Sequence, residues 1–298
     1  MADPKLAHPA NVPGEFFVDT NCINCPTCRQ IAPTIFGDAD RQPVVVRQPV
    51  SDEEKLATLV ALVSCPAASI GTRSALDVAP AVSALPQALA DNVYYCGFAS
   101  RDAFGAHSYF VRRADGNILV DSPRFTKPLV RNLEKLGGVR FMFLTHHDDV
   151  ADHEQFHKHF GCERILHEAD ARWSLQAVER KLRGEGPWSI APDIKIIGVP
   201  GHTRGSTALL DREMFLFTGD HLSWRRDAEG LFTSKQYCQY SWEAQTQSVE
   251  KLVGENFTWI LPGHGYRYQA PTESMRDEIR KAVQRMGGDD GSARMSIA

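Results

Sequence analysis

The sequence predicts an α+β protein in two parts: a small cysteine-bearing N-terminal domain, then a larger domain of layered strands and helices. Three observations carry that reading. Four of the seven cysteines, Cys22, Cys25, Cys28 and Cys65, fall in the first quarter of the chain. Beyond residue 92, short apolar runs of strand character alternate with helical stretches, as packed layers require. Four of those runs, ending at Leu144, Val199, Thr218 and Leu261, lead directly into loops bearing histidines and carboxylates. Strand ends in a layered domain converge along one edge, so loops distant in sequence can build one site there.

A chain of 298 residues holds one large domain or two ordinary ones. Its 43% apolar and 23% charged residues are those of a soluble globular protein, which excludes a disordered or fibrous chain. A net charge of −4 leaves no electrostatic footprint for nucleic acid. No apolar run approaches the ~18–20 residues of a membrane helix. The opening MADPKLAHPANVPG lacks the apolar core of a secretory signal, so a cytoplasmic location is expected. An odd cysteine count without a signal argues against a disulfide framework. Cys96, Cys162 and Cys238 read as small apolar residues of the core.

The N-terminal domain is assigned residues 1–75. Cys22, Cys25 and Cys28 form a C-x2-C-x2-C run, whose thiolates can hold three corners of an iron–sulfur cubane. Cys65, followed by Pro66, supplies the fourth. A two-cluster bacterial ferredoxin would carry a further cysteine where Ala32 stands before Pro33, so one cluster is expected. Structural zinc is the competing occupant, but zinc sites use paired C-x2-C knuckles. Residues 15–72 resemble the single-cluster [4Fe-4S] ferredoxins, in EFFVDTNCINCPTCRQIAPTIF at one end and SCPAASI at the other. The resemblance implies one [4Fe-4S] cluster, either an electron carrier or a structural tie. Between the cysteines, residues 43–50 read as a strand and residues 51–65 as a helix. Ser51 and Glu54 have capping-box spacing, and Leu56, Leu59, Val60 and Val63 share one helical face.

Residues 76–92 are rich in Ala, Ser and Pro and read as a linker. Residues 93–98, 107–112 and 118–121 read as strands, with a turn at 114–117. Residues 126–136 are helical and Gly137-Gly138 stops them. Then comes FMFLTHHDDVADH, residues 141–153, an apolar strand breaking into His146, His147, Asp148, Asp149, Asp152 and His153. Imidazoles and carboxylates at this density suit zinc, manganese or iron. Asp152 opens a helix to residue 160, where an acidic residue is favoured. Residues 164–167 read as a strand and 168–186 as mainly helical. Strands at 194–199, 214–218 and 258–261 lead into GHTRGS, GDH and PGHG, which carry His202, Asp220 and His264. The last helix covers 271–286, and residues 286–298 read as a disordered tail.

The set THHDDVADH, GHTRGS, FTGDH and LPGHG resembles the metallo-β-lactamase superfamily over about residues 92–285, its last three motifs most like the glyoxalase II-like members. The resemblance implies an αββα sandwich over residues 93–285 with two metals at one edge of its β-layers. It makes His202 a ligand of the first metal, Asp220 a bridge and His264 a ligand of the second. Asp152 and His153 match the D-H pair of the second metal, and Asp152 would also orient the reacting water. The family's first motif, H-x-H-x-D-H, is not reproduced. His146 matches its first histidine, Asp148 stands in the second place, and two extra residues precede Asp152. Asp148 or Asp149 therefore replaces a histidine, with His147 as a competing substitute.

Members of the superfamily usually activate a zinc-bound water to cleave esters, thioesters, amides or phosphoesters. A metal-dependent hydrolase acting on a small molecule is therefore expected, with two divalent metals beside the [4Fe-4S] cluster. Arg225, Arg226, Lys235, Tyr237, Tyr240 and Trp242 follow the bridging aspartate and would suit an anionic substrate. A carboxylate in the first motif favours iron or manganese and resembles the flavodiiron proteins, whose motif is H-x-E-x-D-H. That points to a di-iron oxidoreductase receiving electrons from the [4Fe-4S] cluster and a redox partner, although no flavin domain is present. A binding or assembly protein with a closed metal site is the third class.

Overall fold

The computed structural model describes residues 2–288, which fall into two compact units. The first comprises the chain up to Arg140 together with Ala151–Gly161, and the second comprises Phe141–Val150 and the chain from Cys162 onward.

In the first unit, β1 (Phe16–Val18) precedes the cysteine loop and α1 (Thr27–Ile31). A hairpin of β2 (Phe36–Ala39) and β3 (Gln42–Val45) follows, then α2 (Asp52–Ser64) and β4 (Ile70–Thr72). β4 returns antiparallel to β1, pairing Ile70 with Val18 and Thr72 with Phe16. Phe16, Ile35, Phe36 and Val45 are at most 3% exposed and pack with Cys28, Ala61 and Cys65 into one core. Each such side chain contributes roughly 1.5–3 kcal/mol by its burial. The capping box forms as predicted: Ser51 Oγ accepts from Glu54 N at 3.1 Å, and Glu54 Oε2 accepts from Ser51 N at 3.4 Å. The buried face of α2 differs from the predicted one. Leu56 is exposed, whereas Thr58, Val60, Ala61 and Ser64 are buried. Helix α2 packs against α1 on one side and α3 (Ala79–Ser83) on the other, so small residues line its contacts.

Residues 76–92 are more structured than a linker. They carry α3 and β5 (Gln87–Ala90), which begins an antiparallel sheet with β6 (Val93–Tyr95), β7 (Tyr109–Val111) and β8 (Ile118–Val120). Helix α4 (Lys127–Lys135) is capped by Thr126 Oγ1, which accepts from Leu129 N at 3.4 Å, and ends before Gly137 and Gly138, whose φ angles of +103° and +73° favour glycine. Asp152 occupies the N-cap position of α5 (His153–Phe160).

The second unit begins with β9 (Phe141–Phe143), to which β10 (Glu163–His167) and β11 (Arg180–Leu182) pair in parallel. Residues 168–186 are thus not a helix: two 3₁₀ turns lead to a strand. Pairing of Arg180–Leu182 with Ile165–His167, reinforced by Arg180 on Glu163 at 2.7 Å, overrides local helix propensity. The other sheet contains β12 (Trp188–Ala191), β13 (Ile194–Gly198), β14 (Thr207–Asp211), β15 (Phe215–Gly219), β18 (Trp259–Pro262) and β19 (Tyr268–Gln269), in that spatial order. A hairpin of β16 (Ser223–Arg225) and β17 (Gly230–Phe232) follows β15. Helices α6 (Trp242–Lys251) and α7 (Thr272–Gly287) contribute Val249, Met275 and Ile279 to a core with Ile197, Leu216 and Ile260. The last helix runs one residue past its expected end; residues 289–298 of the expected tail lie outside the described residues.

Topology places the site. β13 and β15 both run antiparallel to β14, and β18 runs parallel to β15, so the three C-terminal ends share one edge. The end of β9 is tied to that edge, because Thr145 O accepts from Thr207 N at 2.9 Å and from Thr207 Oγ1 at 3.2 Å.

Candidate metal centre

The apolar run of β9 ends at Leu144, and the next five residues turn polar side chains into the second unit. His146 is 1% exposed. Its Nδ1 lies 2.9 Å from Thr145 Oγ1, leaving Nε2 buried with no hydrogen-bond partner. That Nε2 is 3.7 Å from Asp220 Oδ2 and 3.9 Å from Asp148 Oδ2. His202 Nε2 is 3.3 Å from Asp148 Oδ2 and 3.7 Å from Asp220 Oδ2. His264 Nε2 lies 3.6 Å from Asp149 Oδ1 and 3.8 Å from Asp220 Oδ2. Asp220 thus faces three imidazoles. Two donor sets have ligand atoms within 4.8 Å of one another: His146, Asp148 and His202, and His146, Asp149 and Asp220.

Two glycines make room for this arrangement. A Cβ on Gly219, whose φ is +51°, would lie 2.4 Å from Thr145 Oγ1. A Cβ on Gly263 would lie 2.4 Å from Asp149 Oδ2 and 2.9 Å from Asp220 Oδ1. An added Cβ would displace Thr145, the partner of His146, at the first place and the carboxylates of Asp149 and Asp220 at the second.

The charges are strongly interdependent. Burial works to raise the carboxyl of Asp220, but His264, His146 and His202 outweigh it and hold it below the ordinary range. Burial is likewise outweighed at Asp148, chiefly by His202, His146 and His147, and its carboxyl lies well below the usual value. Burial works to lower the His202 imidazole, but the approach of Asp148 and the charge of Asp220 raise it on balance. Both oxygens of Asp149, Oδ1 of Asp220 and Nε2 of His146 and His202 are buried without hydrogen bonds. An unmet buried polar atom costs about 1–3 kcal/mol. A divalent cation would satisfy these imidazole nitrogens and carboxylate oxygens together, and the mixed donor set fits zinc, iron or manganese.

Other side chains hold the donors. Asp170, fully buried, accepts from His147 N at 3.2 Å, Gly205 N at 2.9 Å and Thr203 Oγ1 at 2.5 Å, so one carboxylate joins the first and second motif loops. Gln239 donates from Nε2 to Asp148 Oδ2 at 2.5 Å and from its backbone to His202 O at 2.8 Å. Sequence reasoning missed Thr145, Asp170 and Gln239. Asp170 was within reach, since it is a further carboxylate just beyond a strand end, in His167-Glu-Ala-Asp170. Gln239 lies in a stretch without periodicity and left no signal.

The competing histidine, His147, faces Asp170, its Nδ1 3.2 Å from Oδ2, and is in neither donor set. Asp152 and His153 belong to the first unit and to neither set. The Asp152 carboxylate accepts from Phe125 N at 2.7 Å and Gln155 Nε2 at 2.8 Å, and His153 lies buried in the first turn of α5. His221 is fully buried, which depresses its pKa to about 3 and keeps the ring neutral. The basic side chains after Asp220 spend their charge locally. Arg225 pairs with Asp227 and covers the Phe232 ring, Arg226 covers Tyr266, and Lys235 lies 5.8 Å from the Trp242 ring centroid.

In the first unit, Cys25, Cys28 and Cys65 are buried and Cys22 is nearly so. Burial pushes the Cys22 thiol up to about 12 and raises Cys25 and Cys28 as well, and the thiols repel one another's charges. Backbone N–H groups of Asn24 and Ser69 point at the sulfurs of Cys22 and Cys65, each at 3.4 Å. Amide donors on buried sulfurs fit thiolates that ligate iron. Gly105 packs against Cys25, so that an added Cβ would stand 3.4 Å from its sulfur.

The fold is that of the metallo-β-lactamases, joined to an N-terminal [4Fe-4S] domain. Residues 18–72 match the 4Fe-4S single cluster domain of ferredoxin I. The structure of the DIM-1 metallo-β-lactamase exposed to ceftazidime is similar, with a TM-score of 0.53 and 17% identity over 66% of this chain and 95% of that one. The metallo-β-lactamase FIM-1 from Pseudomonas aeruginosa, in its mono-zinc form, gives 0.50 and 18% over 66% and 93%. A metallo-β-lactamase from Hirschia baltica gives 0.50 and 15% over 67% and 95%. No curated protein sequence matches the chain. Among the described residues no helix is long and apolar enough to cross a membrane.

Proposed function

We propose that the chain is a binuclear metal-dependent hydrolase of the ester or thioester type, acting on a small molecule and carrying its own iron–sulfur domain. In this reading Cys22, Cys25, Cys28 and Cys65 hold one [4Fe-4S] cluster. His146, Asp148 and His202 hold one divalent metal, Asp149 and His264 a second, and Asp220 serves both. The observation that carries the reading is the meeting of three imidazoles and two further carboxylates around Asp220, most of their inward atoms lacking hydrogen bonds. Asp149 takes the part that the resemblance gave to Asp152, whose carboxylate accepts from Phe125 N and Gln155 Nε2.

Bound divalent metals at such a centre lower the pKa of a water and polarise a carbonyl oxygen. The protein's part is positional. Thr145 fixes the His146 ring so that Nε2 faces the centre, and Gln239 orients the Asp148 carboxylate. Asp170 fixes the two loops that bring His146 and His202 together. The test is metal content and turnover measured on one preparation. Two metals per chain beyond the cluster iron, with thioester or ester hydrolysis lost in Asp220→Ala, are expected. Full metal loading without hydrolysis of any ester, thioester or amide would overturn the assignment.

A second reading is favoured by one observation. The set His146, Asp148 and His202 is two imidazoles and a carboxylate, the donor set of non-haem iron oxygenases. It would make the chain an oxidoreductase supplied with electrons by the cluster. Under that reading Cys25→Ala abolishes turnover while the second centre keeps its metal; under hydrolysis, turnover survives.

A further inference from the structure

We propose that Arg124 is the counter-charge of the N-terminal cluster, seated where α2 delivers Cys65, and that its charge raises the cluster's reduction potential. The inference rests on the reading of residues 18–72 as a cluster domain.

Helix α2 ends at Ser64 and Cys65 is its C-cap, so the fourth cysteine stands at the negative end of the helix dipole. Two groups from later in the chain close that end. Ala99 N donates to Ser64 O at 3.2 Å, and Arg124 Nη2 donates to Val63 O at 3.1 Å. Arg124 is itself anchored, its backbone N donating to Phe98 O at 2.8 Å. Its Nε is buried and has no hydrogen-bond partner, and it forms no ion pair among the described residues. Burial lowers its pKa, against the negative charges of Cys65 and Asp152.

A partly buried guanidinium with an unmet N–H is costly unless an anion faces it. Arg29, on the cysteine loop, shows the contrast. It is the more deeply buried of the two and its Nε likewise lacks a partner, but its charge is met by Asp38 and its Nη2 by the carbonyl of Cys25. Arg124 has no carboxylate within ion-pairing distance among the described residues, although the charge of Asp152 acts on it. Four thiolates around one cluster supply the missing negative charge, and each electron added to the cluster increases it. A fixed cation on the last turn of α2, the helix that Cys65 caps, therefore stabilises the reduced form more than the oxidised form. Asp152 is the opposing charge, so its removal should act in the same direction as Arg124 itself.

The test is a potentiometric titration of the full-length, anaerobically purified holoprotein against dithionite with redox mediators, with iron and sulfide counted. At the wild-type midpoint, Arg124→Met should lower the ratio of reduced to oxidised cluster about ten-fold, about 59 mV for a one-electron couple. Arg124→Lys, which keeps the charge, should stay near wild type, and Asp152→Asn should shift the midpoint upward. An unmoved midpoint in a fully loaded Arg124→Met protein overturns the proposal. So does Arg124→Lys shifting as far as Arg124→Met, since geometry and not charge would then be at work. If Arg124→Met fails to hold a cluster, Asp152→Asn decides: an upward shift supports the assignment and an unmoved midpoint overturns it. A wild-type protein without acid-labile sulfide would instead refute the cluster reading beneath it.

Discussion

The cysteine centre and the histidine–aspartate centre are both buried groups of donors, yet they are assembled by different means. Three of the four cysteines lie on one seven-residue stretch that runs into α1, and only Cys65 comes from a distance, at the end of α2. The six residues proposed for the other centre come from four loops between His146 and His264, and strand order brings them together. The first is encoded by local spacing, the second by topology. A local centre should fail by loss of a single ligand. A topological centre should also respond to residues that touch no metal.

The largest effect tests the local centre. Cys25→Ala removes one corner of the loop and should abolish the iron–sulfur chromophore. Its measurement is visible absorbance of anaerobic protein together with iron and sulfide content. Retention of full sulfide would mean that Cys25 is not a ligand.

Next in size is Asp220→Ala, which removes the carboxylate facing His146, His202 and His264. Metal at the second centre should be lost while the chromophore of the first survives. Loss of both would show the centres to be less independent than the comparison supposes.

Asp170→Asn probes the topological centre without touching its donors. Neutralising a carboxylate that holds Thr203, Gly205 and His147 should weaken metal affinity by about 10–100-fold, the usual cost of losing a partner that orients ligands. Competition with a chelator measures it. Gly263→Ala should act in the same direction through steric displacement of Asp149, whereas Gly287→Ala, with nothing within 4 Å, should not.

How much of this was legible in the sequence follows the same division. Cysteine spacing and the Ser51–Glu54 cap are local signals and could be read directly. His146, His202, Asp220 and His264 were legible because each follows an apolar run. Asp149 was legible only as an alternative to Asp148, since periodicity ends at Leu144 and an irregular loop has no register. The resemblance pointed instead to Asp152, which was read as the first residue of a helix and stands one place before it, at the N-cap of α5. The strand at Arg180–Leu182 was hidden because its short polar sequence is held by parallel pairing to β10, a contact no local pattern reports. Asp170 and Gln239 escaped for the same reason: their partners lie 23 to 91 residues away.

The smallest effect asks how local the cysteine centre really is. Cys65 depends on α2, and α2 depends at its far end on the capping box of Ser51 and Glu54. Ser51→Ala removes the side-chain acceptor for Glu54 N and should cost about 0.5–2 kcal/mol, the ordinary value for such a cap. The remaining helix is held by Thr58, Val60, Ala61 and Ser64 in its packed interior, so its C-terminal end should stay in place. Thermal melting of the anaerobic holoprotein should therefore show a small downward shift with unchanged sulfide content. A variant that loses cluster in proportion to the lost stability would show that the fourth ligand is delivered by the whole helix. The cysteine centre would then be topological as well, its two ends coupled across thirteen helical residues.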